Sequence, residues 1–151
     1  MNPRLIRWGI NLWPPFLGAG IRVRYIAPDW SEVRVELRQR LLNRNAVGTH
    51  YGGSLFSMTD PFYALMLLHH LGERYLIWDQ AASIDFVAPG RGTVGAVFRL
   101  TGNEVESIRA QAASGAKVLP EFDVEVLDAA GAVVARVHKT LYVRLKERYR
   151  P

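Results

Sequence analysis

Between Gly53 and Leu71 lie Leu55, Phe56, Met58, Phe62, Tyr63, Leu65, Met66, Leu67 and Leu68, which together cover nearly every direction around a helical axis. A helix that is apolar on all sides must be enclosed by the rest of its chain. Pro61 stands inside the stretch. Close to a helix N-terminus a proline is tolerated; deeper in, it kinks the helix. Gly72 marks the end.

The flanking sequence supplies strands to do the enclosing. Residues 32–38 alternate Val33, Val35 and Leu37 against Arg34, Glu36 and Arg38, and residues 21–27 alternate in the same way. Ala27 to Ser31 reads as the connection between them. Further strands are expected at 76–87, 93–101, 121–127 and 133–145, with turns at Pro89-Gly90-Arg91-Gly92 and Asp128-Ala129-Ala130-Gly131. Two shorter helices are expected. Residues 3–13 place Leu5, Trp8 and Leu12 on one side before Pro14-Pro15 ends the helix, and residues 104–113 place Val105, Ile108 and Ala112 on one stripe. The first reads as a helix packed across its own domain, with a membrane-surface or lid role as the alternative.

This order predicts an α+β fold: a curved antiparallel sheet of about five or six strands wrapped around one long buried helix, with an extra N-terminal helix and a short inserted one. One small sheet covers only one side of such a helix, so an open edge is expected to pair with a second copy. The 151 residues fit a single domain: an amphipathic helix at 1–15, a core at 16–146 and a solvated basic tail at 147–151.

Composition removes several function classes. There is no cysteine, which excludes disulfide scaffolds, thiol nucleophiles and Cys-type metal sites. No metal or other cofactor is expected. His69 and His70 have no carboxylate at ligand spacing and read as structural. The net charge of +5 admits anionic partners, yet no nucleic-acid-binding signature accompanies it. No apolar run reaches the length of a membrane span, and the N-terminal apolar stretch is interrupted by Arg7 and Asn11, unlike a secretion signal, so a cytoplasmic protein is expected.

The informative segment runs from Asn45 to Asp60: Asn-Ala-Val-Gly-Thr-His-Tyr-Gly-Gly-Ser-Leu-Phe-Ser-Met-Thr-Asp. Gly52 and Gly53 stand at the mouth of the apolar helix, where backbone N–H groups lack internal partners and could stabilise a developing oxyanion. Asp60 follows within an otherwise apolar surrounding, where an unpaired carboxylate is costly. Ser57 lacks both a nucleophile elbow and a His–Asp partnership, so a serine hydrolase is rejected.

The pattern Asn–x2–Gly-Thr–x2–Gly-Gly–x6–Asp, followed by a strand ending Asp-Phe-Val-Ala-Pro-Gly, resembles the hotdog-fold acyl-CoA thioesterases of the phenylacetate-pathway type. More narrowly it resembles a hotdog subgroup catalogued as a domain of unknown function, DUF4442. The inserted helix and the ending Gly-Ala-Val-Val-Ala-Arg-Val-His-Lys-Thr-Leu-Tyr-Val are similar too. The resemblance implies an acyl-CoA or related acyl thioester as substrate and a homodimer or homotetramer. It implies that Gly52 offers its N–H to the thioester carbonyl, with Gly53 beside it. Asp60 would act as nucleophile or as general base on water, and Asn45 would position the nucleophile or reach across a subunit boundary. Asp79 would orient water, and Arg91 would meet the phosphates of coenzyme A. The related enzymes usually carry His directly before the glycine pair. Here Tyr51 holds that place and His50 sits one residue earlier.

Each of these residues has a plainer alternative. Asp60 and Asp79 could be satisfied locally or by an arginine, the glycines could serve close packing, Asn45 could be a turn residue and Arg91 a solvated one. Two functions therefore stand: a thioester hydrolase, or a non-catalytic hotdog module that binds acyl thioesters or fatty acids. A hotdog dehydratase needs a His paired with a carboxylate near the helix, and none is correctly spaced.

Overall fold

The structure, a computed structural model, describes residues 1–151. Asn2 accepts the Arg4 N–H and caps α1 (Pro3–Leu12). Pro14-Pro15 ends α1 as expected, and it also begins a second helix that the sequence reading did not anticipate, α2 (Pro14–Ala19). Proline is well placed in a first helical turn because its missing N–H would be unpaired there anyway. Gly20 then takes a left-handed φ of 83° and turns the chain into the sheet.

Six strands follow, β1 (Ile21–Ile26), β2 (Glu32–Arg38), β3 (Tyr75–Phe86), β4 (Thr93–Arg99), β5 (Glu121–Leu127) and β6 (Val133–Leu145). They form one antiparallel sheet in the order β1-β2-β4-β5-β6-β3, which does not close on itself. Between β4 and β5 only Gly95–Leu127 and Ala96–Val126 pair. The connection there is α5 (Gly102–Ala112), entered through a capping box made by Thr101 and Glu104.

The apolar segment is helical in two pieces, α3 (Gly52–Ser57) and α4 (Phe62–Leu71). Pro61 precedes the first turn of α4 and cannot continue α3, so Met58 to Pro61 form a break. The sheet wraps α4. Phe62, Tyr63, Met66, Leu67 and Leu71 are buried against it. The Tyr63 ring stacks on Phe122 at 4.3 Å and meets Phe98 edge-on at 5.3 Å. Its hydroxyl donates to the Asp123 carbonyl, and burial, with Glu104 and Asp123 adding, pushes its pKa up to about 12. His69 stacks on the fully buried Trp30, in keeping with a structural role.

The two sheet edges are treated differently. At β1, Asn11 of α1 donates to the Val23 carbonyl while the Val23 N–H donates back to Asn11, so a side chain occupies the place of a neighbouring strand. At the other edge β3 pairs only with β6 and is exposed along most of its length. Such an edge is a template for a further strand. Two expectations need correction. α1 faces the protein through Ile6 and Ile10, whereas the stripe of Leu5, Trp8 and Leu12 points to solvent. The tail is not a free end: Glu147–Tyr149 form a 3-10 turn, Tyr149 packs on the core, and Arg150 donates to the Leu145 carbonyl. No helix is long and apolar enough to cross a membrane.

Candidate active site

The residues nominated by sequence gather at two places on either end of α3. The first is a cavity of about 560 Å³ whose walls include Asn45, His50, Gly52, Phe86 and Arg91. The loop before α3 is built around Asn45. Its side-chain oxygen accepts the N–H groups of Val47 and Thr49, and its amide donates to the Thr49 hydroxyl and the His50 carbonyl. Asn45 therefore works first as a turn residue, holding the loop in shape, and it lines the cavity from that position.

His50 is buried. Its Nε2 lies 3.0 Å from the Gly92 carbonyl, so that nitrogen carries the proton and Nδ1 is left as an acceptor with no partner. Burial pushes its pKa down, and the Gly92 contact pulls the other way. Adjacent to it, Tyr51 is exposed and its ring lies over Gly53, where a Cβ would collide with Cε1. A Cβ on Gly52 would meet the Phe86 ring at 2.9 Å. The glycine pair thus permits close aromatic packing, while the Gly52 and Gly53 N–H groups make no hydrogen bond within the chain. Arg91 stands at the cavity edge with one nitrogen 3.4 Å from the Gly48 carbonyl.

The second place is the break after α3. Asp60 sits there with its side chain 64% exposed, beside a cleft of about 150 Å³ lined by Trp13, Pro15, Phe16, Phe56 and Ser57. Behind it is Lys139 of β6, whose side chain has no exposure at all. Its ammonium is 2.9 Å from Asp79 Oδ1 and 3.5 Å from Asp60 Oδ1, and it donates to the carbonyls of Thr59 and Asp60. That Asp79 oxygen is buried, and the Lys139 ammonium is its partner. Asp60 and Asp79 thus face the same point, and neither is met by an arginine. The Asp79 carboxyl is pushed above its ordinary range, first by burial and then by the Asp60 charge, with Lys139 opposing.

Lys139 was missed from sequence, although a signal exists. It falls in the same alternation phase as Val137, Leu141, Val143 and Leu145, all buried. A lysine in the apolar phase of a central strand must find carboxylates or carbonyls beneath it.

Gly52 and Asp60 do not come together within one chain. Gly52 opens α3 and Asp60 lies three residues past its last residue, Ser57, so the two border different cavities. The cavity at Gly52 does not include Asp60. No three candidate metal-ligating side chains cluster anywhere in the chain.

A family model described as Domain of unknown function (DUF4442) matches residues 3–143. No curated protein sequence matches the chain. Among solved structures, a Pseudomonas aeruginosa protein of unknown function named as a probable thioesterase superposes with a TM-score of 0.84 at 20% identity, covering 95% of each chain. A Haemophilus influenzae thioesterase gives 0.70 at 11% identity, over 96% of this chain and 92% of its own. The Escherichia coli PaaI protein of the phenylacetic acid degradation operon gives 0.65 at 19% identity, over 95% and 92%. The fold is the hotdog fold.

Proposed function

The chain belongs to the DUF4442 family, and from that premise we propose that it is a hydrolase of acyl thioesters, acyl-CoA foremost, acting as a dimer or dimer of dimers. One observation carries the reading: the exposed Asp60 carboxylate is held from behind by a fully buried ammonium and borders an apolar cleft. A protein does not bury a lysine at 0% exposure under a surface aspartate for solubility. Such an arrangement would hold a carboxylate within reach of a substrate.

In this reading Asp60 either takes a proton from the attacking water and returns it to the departing thiolate, leaving free acid and thiol, or attacks the thioester carbonyl itself, expelling a thiolate that solvent protonates and forming an acyl anhydride that water then cleaves to the free acid. The Gly52 N–H that meets the oxyanion would come from the second copy, since its own chain's Gly52 lines a different cavity from Asp60. The open β3 edge supports such a pairing: a β3–β3 contact would extend the sheet and bring one copy's α3 mouth toward the other's break. Arg91 at the cavity edge would take the phosphates of coenzyme A. Tyr51 and Gly53 shape the entrance, Asn45 holds the loop, and Asp79 anchors Lys139 and can orient water.

A panel of acyl-CoAs with a thiol-release readout tests this. Wild type releases thiol from at least one member and Asp60→Asn does not, while its thermal midpoint stays close to wild type. An Asp60→Asn variant with the full rate would refute the mechanism. A second reading, a non-catalytic acyl-binding module, is favoured by His50, whose imidazole is turned to Gly92 rather than to Asp60. Its signature is thermal stabilisation by acyl-CoA with no thiol released.

A further inference from the structure

The face made by α1 and the neighbouring part of β1 is used by none of the chemistry above. Leu5 and Trp8 are 68% and 69% exposed, Leu12 continues their stripe on α1, and Trp13 and Leu17 just beyond it are exposed as well. Beside the ridge runs a groove of about 410 Å³ whose walls include Arg4, Arg7, Arg22 and Arg24 together with Trp8 and Leu12. Residues 1–28 contain these four arginines and no aspartate or glutamate. Arg24 is paired with Glu36 of β2, and Arg7 donates to the Arg24 carbonyl. Arg4 and Arg22 have no side-chain partner.

We propose that this face docks the protein on an anionic phospholipid surface, with the Leu5–Trp8–Leu12 ridge among the acyl chains and the arginine groove on the lipid phosphates. The combination selects the occupant. An apolar ridge of leucine and tryptophan flanked by cations, on a helix too short to span, is the composition of a helix that lies in the membrane interface. A second copy fits poorly. A two-fold contact sets the same patch against itself and would bring eight arginine side chains together with only the two Glu36 carboxylates paired to Arg24 as counter-charge. Nucleic acid would satisfy the arginines but leave the hydrocarbon ridge in water. Ile6, Ile10 and Asn11 already hold α1 to the sheet, so docking needs no unfolding of the helix. Trp13, at the end of the ridge, also lines the cleft beside Asp60, so a docked molecule would hold that cleft close to the lipid surface.

The test is co-sedimentation of the full chain with vesicles of phosphatidylglycerol and phosphatidylcholine in equal parts, against phosphatidylcholine alone, at low and high salt. Binding is expected on the anionic vesicles, weaker on the neutral ones, and reduced by salt. Arg4→Ala/Arg22→Ala should weaken it by about five-fold for each arginine, and Trp8→Ser/Leu12→Ser by about ten-fold or more. All four side chains are exposed, so the variants keep the fold, which circular dichroism checks. The proposal is overturned by no binding to anionic vesicles, by equal binding to neutral ones, or by variants that bind like wild type. It is equally overturned if wild type ignores vesicles while Trp8→Ser/Leu12→Ser lowers its mass in sedimentation velocity, which would assign the ridge to a second copy. Binding to a single-stranded RNA in place of vesicles would do the same.

Discussion

Lys139 is the residue on which the site turns. Its ammonium meets two carboxylates and two carbonyls with no exposure to water. Removing it would strand the half-buried Asp79 charge and leave the Thr59 and Asp60 carbonyls without a donor. Lys139→Met should therefore cost stability toward the lower end of ~3–5 kcal/mol, because Asp60 itself remains solvated. Urea denaturation at neutral pH measures this, and a loss below about 1 kcal/mol would mean that the ammonium is not the tie described. His50 gives a pH prediction. Its pKa in the folded protein is depressed below 6.5 by burial. The unfolded chain accepts a proton that the folded chain resists, so the stability this residue contributes is present above 6.5 and lost as pH falls from there toward the lowered value. Urea midpoints taken on either side of 6.5 should fall more steeply for wild type than for His50→Gln. Parallel slopes would contradict a neutral, buried imidazole.

At the scale of elements, periodicity carried most of the fold. β5 and β6 begin and end where their alternation begins and ends, and β2 does too. What alternation does not encode is which outward face meets another part of the chain. Leu5, Trp8 and Leu12 form the better stripe on α1, yet Ile6 and Ile10 make the contact, because Asn11 locks the helix rotation through its two bonds to Val23. In the same way Pro61 announces a disturbance in the apolar helix, but only the position of Lys139 beneath it explains why the break is stable: the ammonium takes the carbonyls the interrupted helix leaves over. The Asn45-to-Asp60 motif marked the residues on either side of α3 without revealing that they border separate cavities. The glycine pair adds a prediction. Gly52→Ala presses on Phe86, an exposed ring that can swing aside, and alanine gains about 1 kcal/mol of helix propensity over glycine. Thermal unfolding should thus show a stability change within about 1 kcal/mol, while thiol release falls as the displaced ring narrows the cavity. A variant that fails to fold would show the packing to be tighter than described.

For the whole molecule, the asymmetry of the sheet edges is the organising fact. α1 closes one edge and leaves β3 open, and the two halves of the proposed centre sit at opposite ends of α3. In the proposed mechanism a working unit needs two chains, each supplying the Asp60–Lys139–Asp79 group to one site and the Gly52 cavity to the other. The most direct measurement mixes two inactive variants. Asp60→Asn lacks the carboxylate, and Asn45→Ala/Arg91→Glu loses the loop and the phosphate contact on the cavity side. Each alone should release no thiol from an acyl-CoA that wild type cleaves. Unfolded together and refolded, they should recover activity, because a mixed pair contains one site in which both halves are wild type. Persistent inactivity of the refolded mixture, with mixed dimers shown by mass, would contradict a centre shared between subunits.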